Sequence, residues 1–123
     1  MHASAFHPLV EDLVDAFWFG LTEGSVRDST FKKCFSKLPP DLQKKTVEVY
    51  QQWEQEMNGT APKRLDFRPV QTRNDYWRIS ITNSGARYRA ICKQLGKNDW
   101  RWVWVGPHAA YNTIVDKVIQ SWP

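Results

Sequence analysis

Arg78, Arg87 and Arg89 fall within short alternating runs, and His108 and Tyr111 follow the last of those runs three residues apart. A guanidinium keeps its charge and can hold a phosphate through two donors at once. An imidazole exchanges a proton near neutral pH. Cations, an acid–base group and an aromatic hydroxyl together are what gripping and cutting a phosphodiester requires. Each residue also has an ordinary structural reading. The arginines suit the solvent face of a sheet, His108 could cap the final helix, and Tyr111 could anchor it.

The runs are Trp77-Arg-Ile-Ser-Ile81, Arg87-Tyr-Arg-Ala-Ile-Cys92 and Trp100-Arg-Trp-Val-Trp-Val105, and Gly106-Pro-His-Ala-Ala-Tyr111 comes directly after. Their alternation predicts an antiparallel sheet with one face packed and the other open. A two-residue period puts Arg87 and Arg89 on one face of the third strand, and Trp102 and Trp104 together against the helices. Arg64-Leu-Asp-Phe-Arg-Pro69 reads as another strand, with Pro69 near its end or on an edge. Lys63, Arg64 and Arg68 supply either general phosphate attraction or a solvated edge.

Helices precede the sheet. Phe6, Leu9, Val10, Leu13, Val14, Phe17, Trp18 and Leu21 recur at helical spacing. Ser29 to Leu38 carries Phe31, Cys34, Phe35 and Leu38 on one stripe, and Pro39-Pro40 breaks it. A longer helix runs from about Asp41 to Met57, with Leu42, Val47 or Val49, Tyr50 and Trp53 apolar; Asn58-Gly59 stops it. Asn83-Ser84-Gly85 and Gly96-Lys-Asn-Asp99 are turn signals. Ile114, Val115, Val118 and Ile119 support a short closing helix. The fold class is therefore α+β: an antiparallel sheet of about four strands under a helical hairpin, with an extra N-terminal helix and a short C-terminal one.

At 123 residues the chain makes one domain, and 41% hydrophobic with 24% charged residues is a globular composition. No apolar run approaches the ~18–20 residues of a membrane span, and no secretory signal is evident. Cys34 and Cys92 lack metal-ligand spacing and read as buried free thiols in a reducing compartment. Residues 1–28 hold one basic side chain, Arg27, against five acidic ones, a net of −4, so residues 29–123 carry +8. A basic sheet attracts polyanions by steering and counterion release. We divide the chain into an acidic amphipathic extension, 1–28, and a main domain, 29–123.

Phe31-Lys-Lys-Cys-Phe-Ser-Lys-Leu-Pro-Pro, the helix with Tyr50-Gln-Gln-Trp53, Trp77-Arg-Ile-Ser-Ile, Tyr88-Arg-Ala-Ile and Trp104-Val-Gly-Pro-His-Ala-Ala-Tyr111 together resemble the RelE/ParE toxin superfamily. The resemblance spans roughly residues 29–120. It implies a small cytoplasmic toxin of a bacterial toxin–antitoxin module. Its partners would be a cognate antitoxin and messenger RNA on the ribosome, and a dimer or a heterotetramer with the antitoxin is compatible with it. No metal or organic cofactor is implied, and no membrane. The implied activity is metal-independent cleavage of messenger RNA by 2′-hydroxyl attack. The ParE branch instead inhibits DNA gyrase by binding, and a degenerate member would bind an antitoxin only.

Residue by residue, the resemblance casts Arg89 as the phosphate-binding arginine, His108 as the proton-transferring histidine, and Tyr111 as the tyrosine that stacks on a base or orients the phosphate. Arg78 and Arg87 assist. Two positions depart from the pattern. Ser80 stands where many family ribonucleases carry a basic residue, and Ala109 where an acidic residue often follows the histidine. Both departures favour the non-catalytic alternatives, whereas His108 beside Tyr111 favours the enzyme. The acidic extension either enlarges the core or shades the basic sheet.

Overall fold

The structure is a computed structural model and describes residues 29–82 and 85–123. The helix expected between Phe6 and Leu21, with the whole acidic extension, lies outside the described residues, as do Asn83 and Ser84 of the expected turn.

Helix α1, Ser29–Ser36, and helix α2, Pro40–Met57, meet at the expected proline pair. α1 stops two residues short of Leu38, and Leu38 is buried in the turn that follows. Pro39 is extended, with φ −57° and ψ 153°. Its carbonyl accepts the amides of Leu42 and Gln43. The Gln43 side chain reaches back and donates to the Phe35 carbonyl at 3.1 Å and the Ser36 carbonyl at 3.5 Å. The Phe35 carbonyl also accepts the Leu38 amide at 3.0 Å, so Gln43 adds a second donor there as well as reaching the Ser36 carbonyl at the helix end. Along α2, Val47 and Val49, expected as alternatives, are both buried, with Thr46 and Trp53.

α2 ends through Gly59, whose φ of +82° suits a residue without a Cβ. Its last turn also fixes the chain beyond it. The buried Glu56 accepts the Gln52 side-chain amide at 2.8 Å and the Leu65 backbone amide at 3.2 Å. Leu65 is thus held against the core before any strand begins. The first strand, β1, is Phe67–Val70, shorter and later than the expected Arg64–Pro69. β2 is Arg73–Ser80, β3 Tyr88–Gly96 and β4 Asp99–Pro107; all neighbours pair antiparallel in the order β1-β2-β3-β4. Pro69 accordingly sits on an edge strand, where a missing donor costs little.

The sheet separates two apolar layers. Phe31, Phe35, Val47, Val49 and Trp53 of the hairpin pack on Ile79, Ala90, Cys92 and Trp102. The opposite face buries Tyr76, Ile91, Val103 and Trp104 beneath Tyr111 and Ile119 from the chain's end. At about 25 cal/mol per Å² of apolar area removed from water, each layer supplies a large part of the folding free energy.

Trp102 and Trp104 do not share a face. Register passes from Cys92↔Trp102 to Ile91↔Trp104, so Val103 is an extra residue in β4. This β-bulge turns Val103 and Trp104 to the same side. Trp102 faces the hairpin and Trp104 the far layer. Period-two reasoning fails there because it assumes an unbroken ladder.

Helix α3, His108–Thr113, begins at the histidine rather than after Tyr111 and continues as a π turn, Ile114–Val118, and a 3-10 turn, Ile119–Ser121. Arg73 on β2 ties this tail down by donating to the carbonyls of Ile119 at 2.9 Å and Trp122 at 3.1 Å. Both cysteines are free; Cys92 is fully buried and its thiol pushed up by desolvation, but Cys34 is only half-buried. Among the described residues no helix is long and apolar enough to cross a membrane.

Candidate nucleic-acid interface

Three strands and one loop build a polar cluster on the far face, where the tail does not cover the sheet. Ser80 pairs with Arg89, and Arg89 pairs with Gly106. Ser80 also donates its backbone amide to the Asp66 carbonyl at 3.2 Å, just ahead of β1. One row across the sheet therefore reads Asp66, Ser80, Arg89, Gly106. By ordinary strand spacing its ends are about 14 Å apart, with Arg89 in the middle. His108 follows two residues after Gly106. Arg78, opposite Arg68, lies one step along β2 on the same face.

Tyr111 and Arg89 meet. The Arg89 guanidinium lies 5.0 Å from the Tyr111 ring centroid, in cation–π geometry. The other neighbours of Tyr111 are Trp104, with centroids 6.3 Å apart, and His108, at 6.0 Å. Burial raises the Tyr111 phenol pKa, and the charges of Arg78 and Arg89 pull it back only in part. Tyr111 thus stays protonated at neutral pH. It is 6% exposed, so its ring is a floor under Arg89 and offers no open face to a base.

Gly106 is needed for this close packing. A Cβ there would stand 2.7 Å from Cζ2 of Trp104, nearer than real atoms approach. Backbone also fixes the histidine: the His108 amide donates to the Arg87 carbonyl at 2.9 Å. The His108 imidazole has Asn112 Nδ2 3.3 Å from its Nδ1, on the next turn of α3.

Asp66 was not among the residues picked from the sequence, and it organises half of the cluster. Its Oδ1 accepts Arg68 Nε at 2.7 Å. Its Oδ2 accepts Arg78 Nη1 at 3.3 Å and the Ser80 hydroxyl at 3.1 Å. Partial burial works against its ionisation, but the bonds from Arg68 and Ser80 and the charge of Arg78 outweigh burial, so its carboxyl lies below the usual aspartate range. Asp66 is therefore ionised at neutral pH. The sequence does hold a signal: Asp66 is the one acidic residue in the basic run from Lys63 to Arg68.

The other expected residues are placed differently. Arg87 is exposed and stands one residue before β3, where its carbonyl accepts the His108 amide. Arg68 is mostly exposed but joined through Asp66. Lys63 and Arg64 are exposed on the link before β1, outside the cluster. Ser80 is buried and Ala109 exposed.

The arrangement can seat an anion. Arg78 and Arg89 present donors on one face, His108 provides a titratable nitrogen at one end of the row, and Asp66 provides an ionised carboxylate at the other. Among the described residues no group of three or more His, Cys, Asp or Glu could hold a metal ion. No protein-family model, no curated protein and no solved structure matches this chain.

Proposed function

We propose that the protein is a RelE-like toxin of a bacterial toxin–antitoxin module, acting in the cytoplasm on messenger RNA as a metal-independent endoribonuclease. The observation that carries this reading is the convergence of Arg78, Arg89 and Tyr111 between Asp66 and His108 on the face of the sheet opposite the helical hairpin. Cleavage needs a proton acceptor for the 2′-hydroxyl, cations for the phosphorane charge, and a donor for the departing 5′-oxygen. Arg78 and Arg89 hold the phosphate, and Tyr111 keeps Arg89 in place and can donate its hydroxyl. Asp66, ionised beside Ser80, accepts the proton that serine cannot accept unaided. His108 delivers the proton to the leaving oxygen. The family resemblance adds a cognate antitoxin as partner.

One observation favours a second reading, binding without cleavage. Both Asp66 oxygens are already engaged, by Arg68 on one and by Arg78 and Ser80 on the other. A carboxylate so held is a weak base, and the protein would then inhibit by occupying RNA or a protein target.

The deciding experiment expresses wild type, Arg89→Ala and His108→Ala and maps the 5′ ends of cellular messages. The nuclease reading expects new 5′ ends with wild type and their loss in both variants. Growth arrest with intact messages, or cleavage that survives both substitutions, refutes it.

A further inference from the structure

His108 is held at three points, and the three partners do different things. Its backbone amide is fixed to the Arg87 carbonyl at 2.9 Å. Its ring stands beside Tyr111, with centroids 6.0 Å apart and planes at 40°. Its Nδ1 has the Asn112 amide nitrogen at 3.3 Å. The first two contacts place the residue and limit its ring, but neither tells one ring nitrogen from the other. Among the described residues only Asn112 bonds a ring nitrogen. It lies four residues on, one turn along the same side of α3, where a side chain can reach back to His108. Ala109, directly after the histidine, has no polar side chain to share that task.

The two nitrogens of an imidazole are not equivalent once one of them has a partner. In the neutral ring one donates and the other accepts, and the bond made by the first decides the role of the second. An asparagine amide carries a donor, Nδ2–H, and an acceptor, Oδ1, and half a turn about its last torsion exchanges them. With Nδ2 toward the ring, Nδ1 accepts and the proton rests on Nε2. When the ring is cationic both nitrogens carry protons, and the amide turned over offers Oδ1 to Nδ1–H. In either state Nε2–H is the donor left for an anion on the arginine row.

We propose that Asn112 is the positioning residue of His108 and makes Nε2 the nitrogen that acts on the leaving oxygen. Its consequence for cleavage rests on the ribonuclease reading; its effect on the ring does not. In the cleavage step the proton passes from Nε2 of the imidazolium to the 5′-oxygen as the P–O5′ bond breaks. Nδ1–H stays on Asn112 Oδ1, and a proton from solvent restores Nε2–H. Asn112 itself touches neither phosphate nor sugar and contributes alignment only.

The test reads the ring nitrogens of the 15N-labelled full chain at about pH 9, above the range in which imidazoles titrate. Three histidines give signals, and His108→Gln assigns the relevant one. Wild type is expected to show the proton on Nε2. Asn112→Asp puts a carboxylate, which only accepts, in place of the amide and should move the proton to Nδ1. Asn112→Ala should slow single-turnover RNA cleavage about tenfold through lost alignment, with affinity for single-stranded RNA unchanged. Asn112→Asp still holds Nδ1–H and should recover most of that loss. Asn112 is exposed, and an unmoved Trp104 indole signal shows that each variant keeps its fold. A wild-type proton on Nδ1, an Asn112→Asp proton still on Nε2, or undiminished cleavage by Asn112→Ala would overturn the assignment. A wild type that binds RNA and cuts nothing would instead remove the ribonuclease reading, and the ring-nitrogen signals would still decide whether Asn112 fixes His108.

Discussion

Replacing Asp66 by asparagine separates gripping from cutting. In the resting protein the carboxylate sits 3.3 Å from Arg78 and 2.7 Å from Arg68, where an incoming phosphate would want to be. A phosphate oxygen on the far side of Arg78, about 3 Å from it, would lie about 6 Å from Asp66. Two unit charges at that separation repel by roughly 1.4 kcal/mol at an effective dielectric near 40, between surface and bulk values, or about tenfold in affinity. Asp66→Asn should therefore tighten binding of a short single-stranded RNA about tenfold at low salt, measured by fluorescence anisotropy. If Asp66 accepts the 2′-hydroxyl proton, single-turnover cleavage by the same variant should fall by about 10²–10⁴. Urea denaturation is the control, with a change below about 1 kcal/mol because the pairs are partly exposed. Weaker RNA binding would show that Asp66 holds the arginines in a binding geometry rather than competing with phosphate. Tighter binding with undiminished cleavage would remove it from proton transfer.

Three further outcomes are expected. Gly106→Ala should cost about 1–3 kcal/mol in urea unfolding, since its Cβ meets the Trp104 ring at 2.7 Å and the ring is held by a packed layer; an unchanged midpoint would contradict that. Arg89→Lys should lose most RNA affinity despite keeping the charge, because an ammonium cannot copy the planar fork or its stacking on Tyr111; affinity equal to wild type would reduce Arg89 to a point charge. Asp66 and Asp75 both have folded pKa values below the ordinary 3.8, despite partial desolvation. Their stabilisation is fully present above 3.8 and lost as pH falls through the lower folded values. Denaturation midpoints between pH 6 and pH 2 should thus fall in wild type and fall less steeply in Asp66→Asn/Asp75→Asn; parallel curves would disprove the linkage.

The order of elements was legible because local pattern decides it. Pro39-Pro40 ends one helix and opens the next, and alternation from Trp77 to Ile81 and from Trp100 onward marks strands. What escaped depended on pairing between distant residues. Asp66 becomes part of the cluster only when β1 lies against β2 and brings Arg78 and Ser80 to it, a register no local window contains. Tyr111 was legible as a residue of importance; that its ring lies beneath Arg89 rather than open to a base follows from burial against Trp104.

The extra residue at Val103 has a consequence beyond local twist. It acts as a parity switch for everything downstream. Had β4 kept all its residues but run past Trp102 as an unbroken alternation, Trp104 and Gly106 would have pointed toward the hairpin, and α3 would have left the sheet with its parity reversed. The helix carrying His108 and Tyr111 would then have emerged on the hairpin side, away from Arg78 and Arg89. Straightening the bulge with every residue retained would thus leave the composition untouched and still dissolve the site, by sorting its parts onto opposite sides of one sheet, whereas deleting Val103 would leave Trp104 opposite Ile91 in a regular ladder.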